Sequence, residues 1–176
     1  MSKRIIIDKI REIDELDKPV GRYDLIPLFN DNYIFGEMID ILSEPYLGKI
    51  DYVVSPEALG WILGTAISRK LGVGFIPLRK ENKLPYSRDK IIKNTYIDNL
   101  NNKKTLEIKD IKIHKNSRIL LVDEWIESGL TIKCCINLLE KMDYIIAGIA
   151  TIGIDENENT IEWIEENMVT FIGKNI

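Results

Sequence analysis

The chain has 176 residues, of which 45% are hydrophobic and 30% charged, and its formal net charge is −4 at pH 7. This length fits one domain with a sizeable core, and the composition is ordinary for a soluble globular protein. No apolar run approaches the roughly 20 residues of a membrane span, and an acidic chain without a lysine or arginine cluster excludes a large nucleic-acid footprint.

The first half of the chain alternates between predicted helices and strands. The N-terminal MSKRIIIDKIREIDEL interleaves acids with apolar residues, so it predicts an amphipathic helix rather than a signal peptide, and we expect a cytoplasmic protein. Segment 17–22 contains Pro and Gly and is too broken for regular structure. Residues 31–47 have helical spacing, with Asn30 or Asp31 as the cap. KIDYVVSP is typical of a strand, and EALGWILGTAISRKLG of a helix that ends at Gly72.

The second half continues this alternation. VGFIPL predicts a strand, residues 79–94 are polar, basic and expected to be mobile, and TYIDNLNNKKTLEI predicts a hairpin that turns at Asn101. SRILLVD is an apolar strand of the kind found inside a sheet covered on both faces. A helix over 130–142, a strand over 144–152, a helix over 156–167 and the strand VTFIG follow. This order predicts an α/β fold with a mostly parallel central sheet flanked by helices.

An acidic loop follows the strand SRILLVD. Asp123 and Glu124 stand at its carboxyl end, where open α/β sheets bind ligands. Residues 127–131 then lead into a helix whose N-terminal N–H groups and dipole favour an anion. The P-loop and dinucleotide signatures are missing, so one phosphate beside two carboxylates points to a sugar phosphate. The alternative is an ordinary capping turn, because Asp, Ser and Thr are common N-caps.

LLVDEWIESGLT resembles the phosphoribosyl-pyrophosphate motif of the type I phosphoribosyltransferases, with a hydrophobic strand, two acids and a small phosphate loop that ends in Thr. Residues 51–85 resemble the adenine phosphoribosyltransferases in particular, up to a strand that ends in Arg-Lys and a following Lys-Leu-Pro. Residues 18–31 resemble the hood of that family, and TYIDNLNNKKTLEI its flexible catalytic hairpin. The resemblance implies one domain over 1–176, with a helix and hood in 1–30 and a core in 31–176 that has a flexible loop at about 79–102.

The resemblance also implies roles for the acidic loop and for two other segments. Asp123 and Glu124 are expected to hold the ribose 2- and 3-hydroxyls of phosphoribosyl pyrophosphate. The implied 5-phosphate loop consists of Glu127, Ser128, Gly129, Leu130 and Thr131. The implied pyrophosphate contacts are Glu57, Ala58, Leu59, Gly60, Arg79 and Lys83. Mg²⁺ is the implied cofactor, with no direct protein ligand, because the substrate's own oxygens would hold it near the two acids.

Three implied catalytic positions depart from the family's pattern. Leu59 stands where an Arg is usual, which removes one positive charge. Asp98 and Asn99 stand where the hairpin usually carries a Glu that handles the purine proton, so we expect Asp98 to be catalytic. Glu127 resembles the acid that the hypoxanthine-guanine enzymes place near the base. It is therefore either a general base or a helix cap.

The residues implied in base recognition match the family's pattern less well. Arg22 and Tyr23 lie where the hood usually has a Phe-Arg pair, in swapped order. Trp125 occupies a position that often faces the nucleotide, although packing beside the site is the alternative. Tyr96 in the hairpin either reaches the substrate or pairs across the strands.

The resemblance implies a Mg-dependent enzyme of purine salvage. It would transfer 5-phosphoribosyl from phosphoribosyl pyrophosphate to a purine base, with adenine as the first expectation, giving a nucleoside monophosphate and pyrophosphate. Glu127 suggests hypoxanthine or guanine as an alternative acceptor. The departures at Leu59 and in the hairpin suggest a second alternative, a regulatory protein that senses phosphoribosyl pyrophosphate or nucleotides. We expect a homodimer, with no nucleic-acid or membrane partner.

Overall fold

The computed structural model describes residues 3–17, 24–111, 113–166 and 168–175. Within these ranges seven strands form one sheet in the order β3-β4-β2-β1-β5-β6-β7. The strands are β1 Tyr52–Pro56, β2 Gly74–Lys80, β3 Ile91–Ile97, β4 Lys103–Lys109, β5 Arg118–Ile126, β6 Ile145–Ile154 and β7 Val169–Lys174.

Most of this sheet is parallel, as the sequence predicts. Strands β2, β1, β5, β6 and β7 pair in parallel. The hairpin β3–β4 joins the edge of β2 in antiparallel register through the pairs Arg79–Glu107 and Lys80–Leu106. A parallel sheet needs cover on both faces, because its strands are apolar on both sides. The predicted α/β fold is therefore confirmed.

Helices cover the two faces of the sheet. On one face α1, α3 and α4 pack over residues such as Leu120 and Val122 of β5. On the other face α5 packs over Ile119 and Leu121, because successive side chains of a strand point to opposite sides. The α-helices are α1 Lys3–Asp17, α2 Ile26–Asn30, α3 Asn32–Ser43, α4 Leu59–Leu71, α5 Leu130–Glu140 and α6 Ile161–Glu165.

The helix and turn signals read from the sequence agree with the structure at three places. Asp31 caps α3 by accepting hydrogen bonds from the N–H groups of Tyr33 and Ile34. Gly72 ends α4 in the left-handed region, at φ 71°. Asn101 turns the hairpin at φ 61°. These signals act within a few residues, so they do not depend on the tertiary fold.

One predicted element, the last helix, differs from the structure. The helix expected over 156–167 is only α6, because side chains compete with the helix at its start. Thr160 Oγ1 accepts a hydrogen bond from Asn157 N at 2.9 Å and donates to Asp155 O at 2.6 Å, which holds residues 157–160 as a turn. The segment 79–94 contains the end of β2, a single 3-10 turn at Arg88–Lys90 and the start of β3.

No helix in the described ranges is both long and apolar enough to cross a bilayer.

Candidate active site

The two acids of the loop lie at the carboxyl end of β5. The Asp123 side chain is buried, and its Oδ1 accepts a hydrogen bond from Glu124 N at 3.0 Å. Glu124 is half-buried. Strand β5 is central, between β1 and β6, so the buried apolar residues before Asp123 fix the position of both carboxylates.

The loop after β5 turns sharply at Gly129 and opens helix α5. Gly129 has φ 75°, and an added Cβ would lie 3.0 Å from Thr160 Cγ2, so a side chain would be both strained and obstructed. The first backbone hydrogen bond of the helix runs from Lys133 N to Gly129 O at 2.9 Å. The N–H groups in the first turn of α5, including that of Thr131, have no acceptor within the helix. Such groups can bind an anion.

Two asparagines that the sequence analysis missed fix the orientation of this loop. Asn157 Nδ2 donates to Glu127 O at 2.7 Å, and Asn159 Nδ2 donates to Ser128 O at 3.0 Å. Both loop carbonyls are thereby bonded to the segment that follows β6. The only sequence signal was the run DENENT, which is rich in turn-forming residues.

A second loop approaches the acids from β1. Residues 57 and 58 connect β1 to α4, and the peptide bond between Glu57 and Ala58 is cis. A Cβ added to Gly60, in the first turn of α4, would lie 3.0 Å from Asp123 Oδ1 and 3.4 Å from Val122 O. The structure thus brings together the segments predicted to bind pyrophosphate and ribose.

Arg79 is held beside this second loop by two neighbours. Its Nη2 lies 3.3 Å from Glu57 Oε2, and its guanidinium lies over the Trp61 ring at 5.2 Å from the centroid. The other oxygen of Glu57 accepts a hydrogen bond from Lys80 N. Glu57 therefore orients the cation. Lys83, also predicted for pyrophosphate, is exposed in the loop after β2.

The hairpin lies against helix α5. On β3 the residues Ile92, Asn94 and Tyr96 are half-buried, whereas the intervening side chains are exposed. The Tyr96 hydroxyl lies 3.0 Å from Thr131 Oγ1, and Asn94 Nδ2 donates to Cys134 O at 3.2 Å. The hairpin thus contacts the helix that follows the predicted phosphate loop.

At the tip of the hairpin the carboxylate of Asp98 belongs to the turn. It accepts hydrogen bonds from Asn102 N at 2.7 Å and from Leu100 N at 3.0 Å. These bonds, that from Asn102 first, hold the pKa of Asp98 below its ordinary value. The neighbouring Asn99 is exposed and lines a cleft. A catalytic role for Asp98 stays a prediction.

The cleft lies between the hairpin tip, the predicted phosphate loop and the segment after β6. Its volume is about 550 Å³, and its lining includes Asn99, Glu127, Ser128, Asp155 and Asn159. Burial raises the pKa of Asp155, and the charge of Glu127 adds to the effect. A larger cavity of about 670 Å³ lies at the amino ends of β1 and β2, away from both acids of β5.

The base-recognition residues fall partly outside the described structure. Arg22 and Tyr23 are not among the described residues. Trp125 is half-buried, hydrogen-bonds to Asp155, and packs against the apolar cluster that includes Leu28 of α2. Its ring fills the space over Gly153, where an added Cβ would meet ring carbons at 2.3 Å. Trp125 therefore packs beside the cleft.

Known proteins match the chain over most of its length. The phosphoribosyl transferase domain family matches residues 34–174. The adenine phosphoribosyltransferase of Acidobacterium capsulatum is 37% identical over 143 residues, which cover 80% of this chain and 77% of that protein. The enzyme of the same name from Dinoroseobacter shibae is 38% identical, with 84% and 82% covered.

Solved structures agree in fold. The adenine phosphoribosyltransferase of Thermoanaerobacter pseudethanolicus is 26% identical with a TM-score of 0.77, covering 88% of this chain and 89% of that one. That of Saccharomyces cerevisiae, solved with an imino-altritol bisphosphate and adenine, is 27% identical with a TM-score of 0.72 and covers 86% of each chain. The chain therefore belongs to the type I phosphoribosyltransferase family, in the group of the adenine phosphoribosyltransferases.

Proposed function

We propose that the protein transfers the 5-phosphoribosyl group of phosphoribosyl pyrophosphate to adenine, giving AMP and pyrophosphate. The observation that carries this proposal is the close approach of Gly60 to Asp123. Phosphoribosyl pyrophosphate bears its pyrophosphate on C1, and the neighbouring C2 bears the 2-hydroxyl. The loop that binds pyrophosphate and the acid that binds the ribose must therefore lie within the width of one sugar. The names and identities of the relatives support adenine as the acceptor.

The proposed roles are assigned by where charge develops during the reaction. Leaving of pyrophosphate puts positive charge on the sugar ring, and carboxylates such as Asp123 and Glu124 stabilise it. The 5-phosphate would bind the first-turn N–H groups of α5 and the hydroxyls of Ser128 and Thr131. These contacts hold the ring in place while the bond to pyrophosphate breaks.

Negative charge on the leaving group needs a cation from this chain. Leu59 offers none, and Arg79 is the nearby cation that the structure holds in position, between Glu57 and the Trp61 ring. Its Nε is buried and has no hydrogen-bond partner among the described residues. We therefore assign the main side-chain contribution at the pyrophosphate end to Arg79, with Lys83 as a second, exposed cation.

The oxygen atoms available at this site suit Mg²⁺. Among the described residues no cluster of three or more His, Cys, Asp or Glu side chains could hold a metal alone. The oxygens of the bound substrate would hold the ion, with the carboxylates of Asp123 and Glu124 nearby. When bound, the ion neutralises charge on the departing pyrophosphate.

The cleft beside Glu127 is proposed to receive the base. Glu127 is exposed and lines the cleft together with Ser128 of the phosphate loop, so its carboxylate is available to take the proton that the purine loses. The same observation keeps hypoxanthine and guanine as alternative acceptors. The proposal includes a cytoplasmic location and the homodimer expected from the resemblance. Light scattering of the purified protein would test the homodimer.

The decisive experiment is a base panel. The protein is incubated with Mg²⁺, phosphoribosyl pyrophosphate and adenine, hypoxanthine or guanine, and pyrophosphate release is measured. We expect release with adenine. Release with another base alone would contradict the acceptor, and donor binding without release from any base would contradict the reaction and support the sensor.

A matched pair of variants tests the ribose site. Asp123→Asn removes the buried charge and should weaken binding of phosphoribosyl pyrophosphate at least 10-fold, about 1.4 kcal/mol. Asp40→Asn, at an exposed aspartate paired with Lys70 on the protein surface, is the control. Unchanged donor affinity in Asp123→Asn would show that the ribose contact is misassigned.

A further inference from the structure

The hydroxyl groups of Tyr96 and Thr131 form a direct contact between the hairpin and the first turn of α5. Their oxygens are 3.0 Å apart, and both residues are half-buried. Thr131 is the second residue of α5, two positions after the turn at Gly129. The contact therefore lies at the proposed 5-phosphate site, although Tyr96 comes from a strand at the far edge of the sheet.

The chemistry of a phosphate ester determines the direction of this hydrogen bond when the site is filled. An ionised phosphate monoester presents only acceptor oxygens, so a threonine hydroxyl that binds it must donate its single hydrogen. The Thr131 oxygen can then only accept from Tyr96. The result is a chain in which Tyr96 donates to Thr131 and Thr131 donates to the phosphate.

We propose that Tyr96 is a positioning residue for the donor's 5-phosphate: its hydroxyl donates to Thr131 Oγ1 and thereby directs the Thr131 hydrogen toward the phosphate. This inference rests on the proposed function. Tyr96 acts through Thr131, so it affects ligands that carry the 5-phosphate and has no part in binding pyrophosphate.

Three further observations support this role. Asn94 donates to Cys134 O and Lys141 Nζ donates to Asn94 Oδ1 at 2.8 Å, which holds β3 against α5 independently of Tyr96. The Tyr96 ring packs on the apolar cluster under α5, so the direction of its hydroxyl is fixed. Burial raises the pKa of Tyr96, so the phenol keeps the proton that it must donate.

The test compares ligand affinities of the full-length protein by calorimetry. Tyr96→Phe keeps the ring and removes only the hydroxyl. We expect its dissociation constant for ribose 5-phosphate to rise about 5- to 20-fold, while that for pyrophosphate changes less than about 2-fold. Thr95→Val is the matched control, because Thr95 shares a hydroxyl contact with Thr105 inside the hairpin and lies on the exposed side of β3.

A double-mutant cycle separates positioning from general packing. In a Thr131→Val background Tyr96→Phe should have no further effect on ribose 5-phosphate affinity, because the hydroxyl through which it acts is gone. Asn94→Ala loosens the hairpin without touching Thr131, and we expect less than about a 2-fold change in that affinity. Additive effects of Tyr96→Phe and Thr131→Val, or an Asn94→Ala effect as large as that of Tyr96→Phe, would overturn the positioning role.

The outcome also distinguishes this inference from the proposed function. If the wild-type protein releases pyrophosphate and Tyr96→Phe binds ribose 5-phosphate normally, only the role of Tyr96 is wrong. If the wild-type protein neither turns over any base nor binds ribose 5-phosphate, the proposed function fails and the positioning role fails with it.

Discussion

Gly60 lies in the first turn of α4 and Asp123 in strand β5, yet the α-carbon of Gly60 is so near the aspartate that a methyl group there would lie 3.0 Å from Oδ1. The contact joins neighbouring parallel strands, since β1 leads into α4 and Asp123 lies near the carboxyl end of β5.

Gly60→Ala is expected to separate activity from stability. Alanine is the better former of a helix interior by about 1 kcal/mol, which offsets part of the cost of crowding Asp123, so the melting temperature should change little. The new methyl group should displace Asp123 and lower kcat/KM about 10- to 100-fold, which corresponds to roughly 1.4–2.7 kcal/mol.

Gly36→Ala is the matched control for Gly60. Gly36 lies in α3, and an added Cβ there would meet no atom within 4 Å, so activity should not change. Equal activity of Gly60→Ala and wild type would mean that Asp123 has no part in the reaction.

Gly129→Ala should damage both the fold and donor binding. A φ of 75° costs a residue with a side chain about 1–2 kcal/mol, and the methyl group would also press on Thr160 Cγ2. Gly72→Ala has nearly the same φ, 71°, but open space around the new atom. We expect Gly129→Ala to lose more free energy of unfolding than Gly72→Ala in urea titrations, and to lose ribose 5-phosphate binding that Gly72→Ala keeps.

Asn159→Ala should impair donor binding with little effect on the core. It removes the hydrogen bond to Ser128 O, worth about 1 kcal/mol, and frees the peptide that precedes Gly129. The KM for phosphoribosyl pyrophosphate should rise about 5-fold in steady-state assays. Asn175→Ala is the control, because Asn175 bonds the nearby Glu156 N without touching the loop. A similar KM in both variants would contradict the orienting role.

The Asp51–Arg118 pair should give a pH-dependent contribution to stability. Hydrogen bonds from the Arg118 side chain lower the pKa of Asp51 to about 2, whereas the unfolded value is about 3.9. A lowered folded-state pKa stabilises the fold above the unfolded pKa, and the contribution is lost as the pH falls from about 4 to 2.

The measurement is the difference in unfolding free energy between wild type and Asp51→Asn. Because the pair is exposed to solvent, we expect a difference of only about 0–1 kcal/mol at pH 7. It should shrink toward zero near pH 2 in urea titrations. A difference that grows on acidification would contradict the assignment.

The sequence predicted the parts of the site that are continuous along the chain. The apolar run into Asp123 and Glu124, the turn at Gly129 and the end of α4 at Gly72 are local patterns, and local patterns survive in the fold. The contacts between segments that are distant in the sequence could not be predicted from local patterns. Asn159 reaches Ser128 only because β6 lies beside β5, and Tyr96 reaches Thr131 only because the hairpin leans on α5.

The partners of two carboxylates were likewise beyond what the sequence could show. Glu57 was expected in the loop that binds pyrophosphate, which stays a prediction, and the structure shows its carboxylate bound to Arg79 and to Lys80 N. Asp98 was expected to be catalytic, which stays a prediction, and the structure shows that its oxygens accept hydrogen bonds from the N–H groups of the turn. In both cases the sequence shows a carboxylate but cannot place the hydrogen-bond donors that contact it in the fold.

The turn at residues 98–102 extends beyond the last paired residues of the hairpin, Ile97 and Lys103. An insertion or deletion there changes what overhangs the cleft without shifting the register of either strand, and it leaves the β5 loop untouched. The proposed donor half of the site and the overhanging tip can therefore be changed separately. Variants of this chain with longer or shorter tips would show whether the tip affects acceptor preference on a constant scaffold.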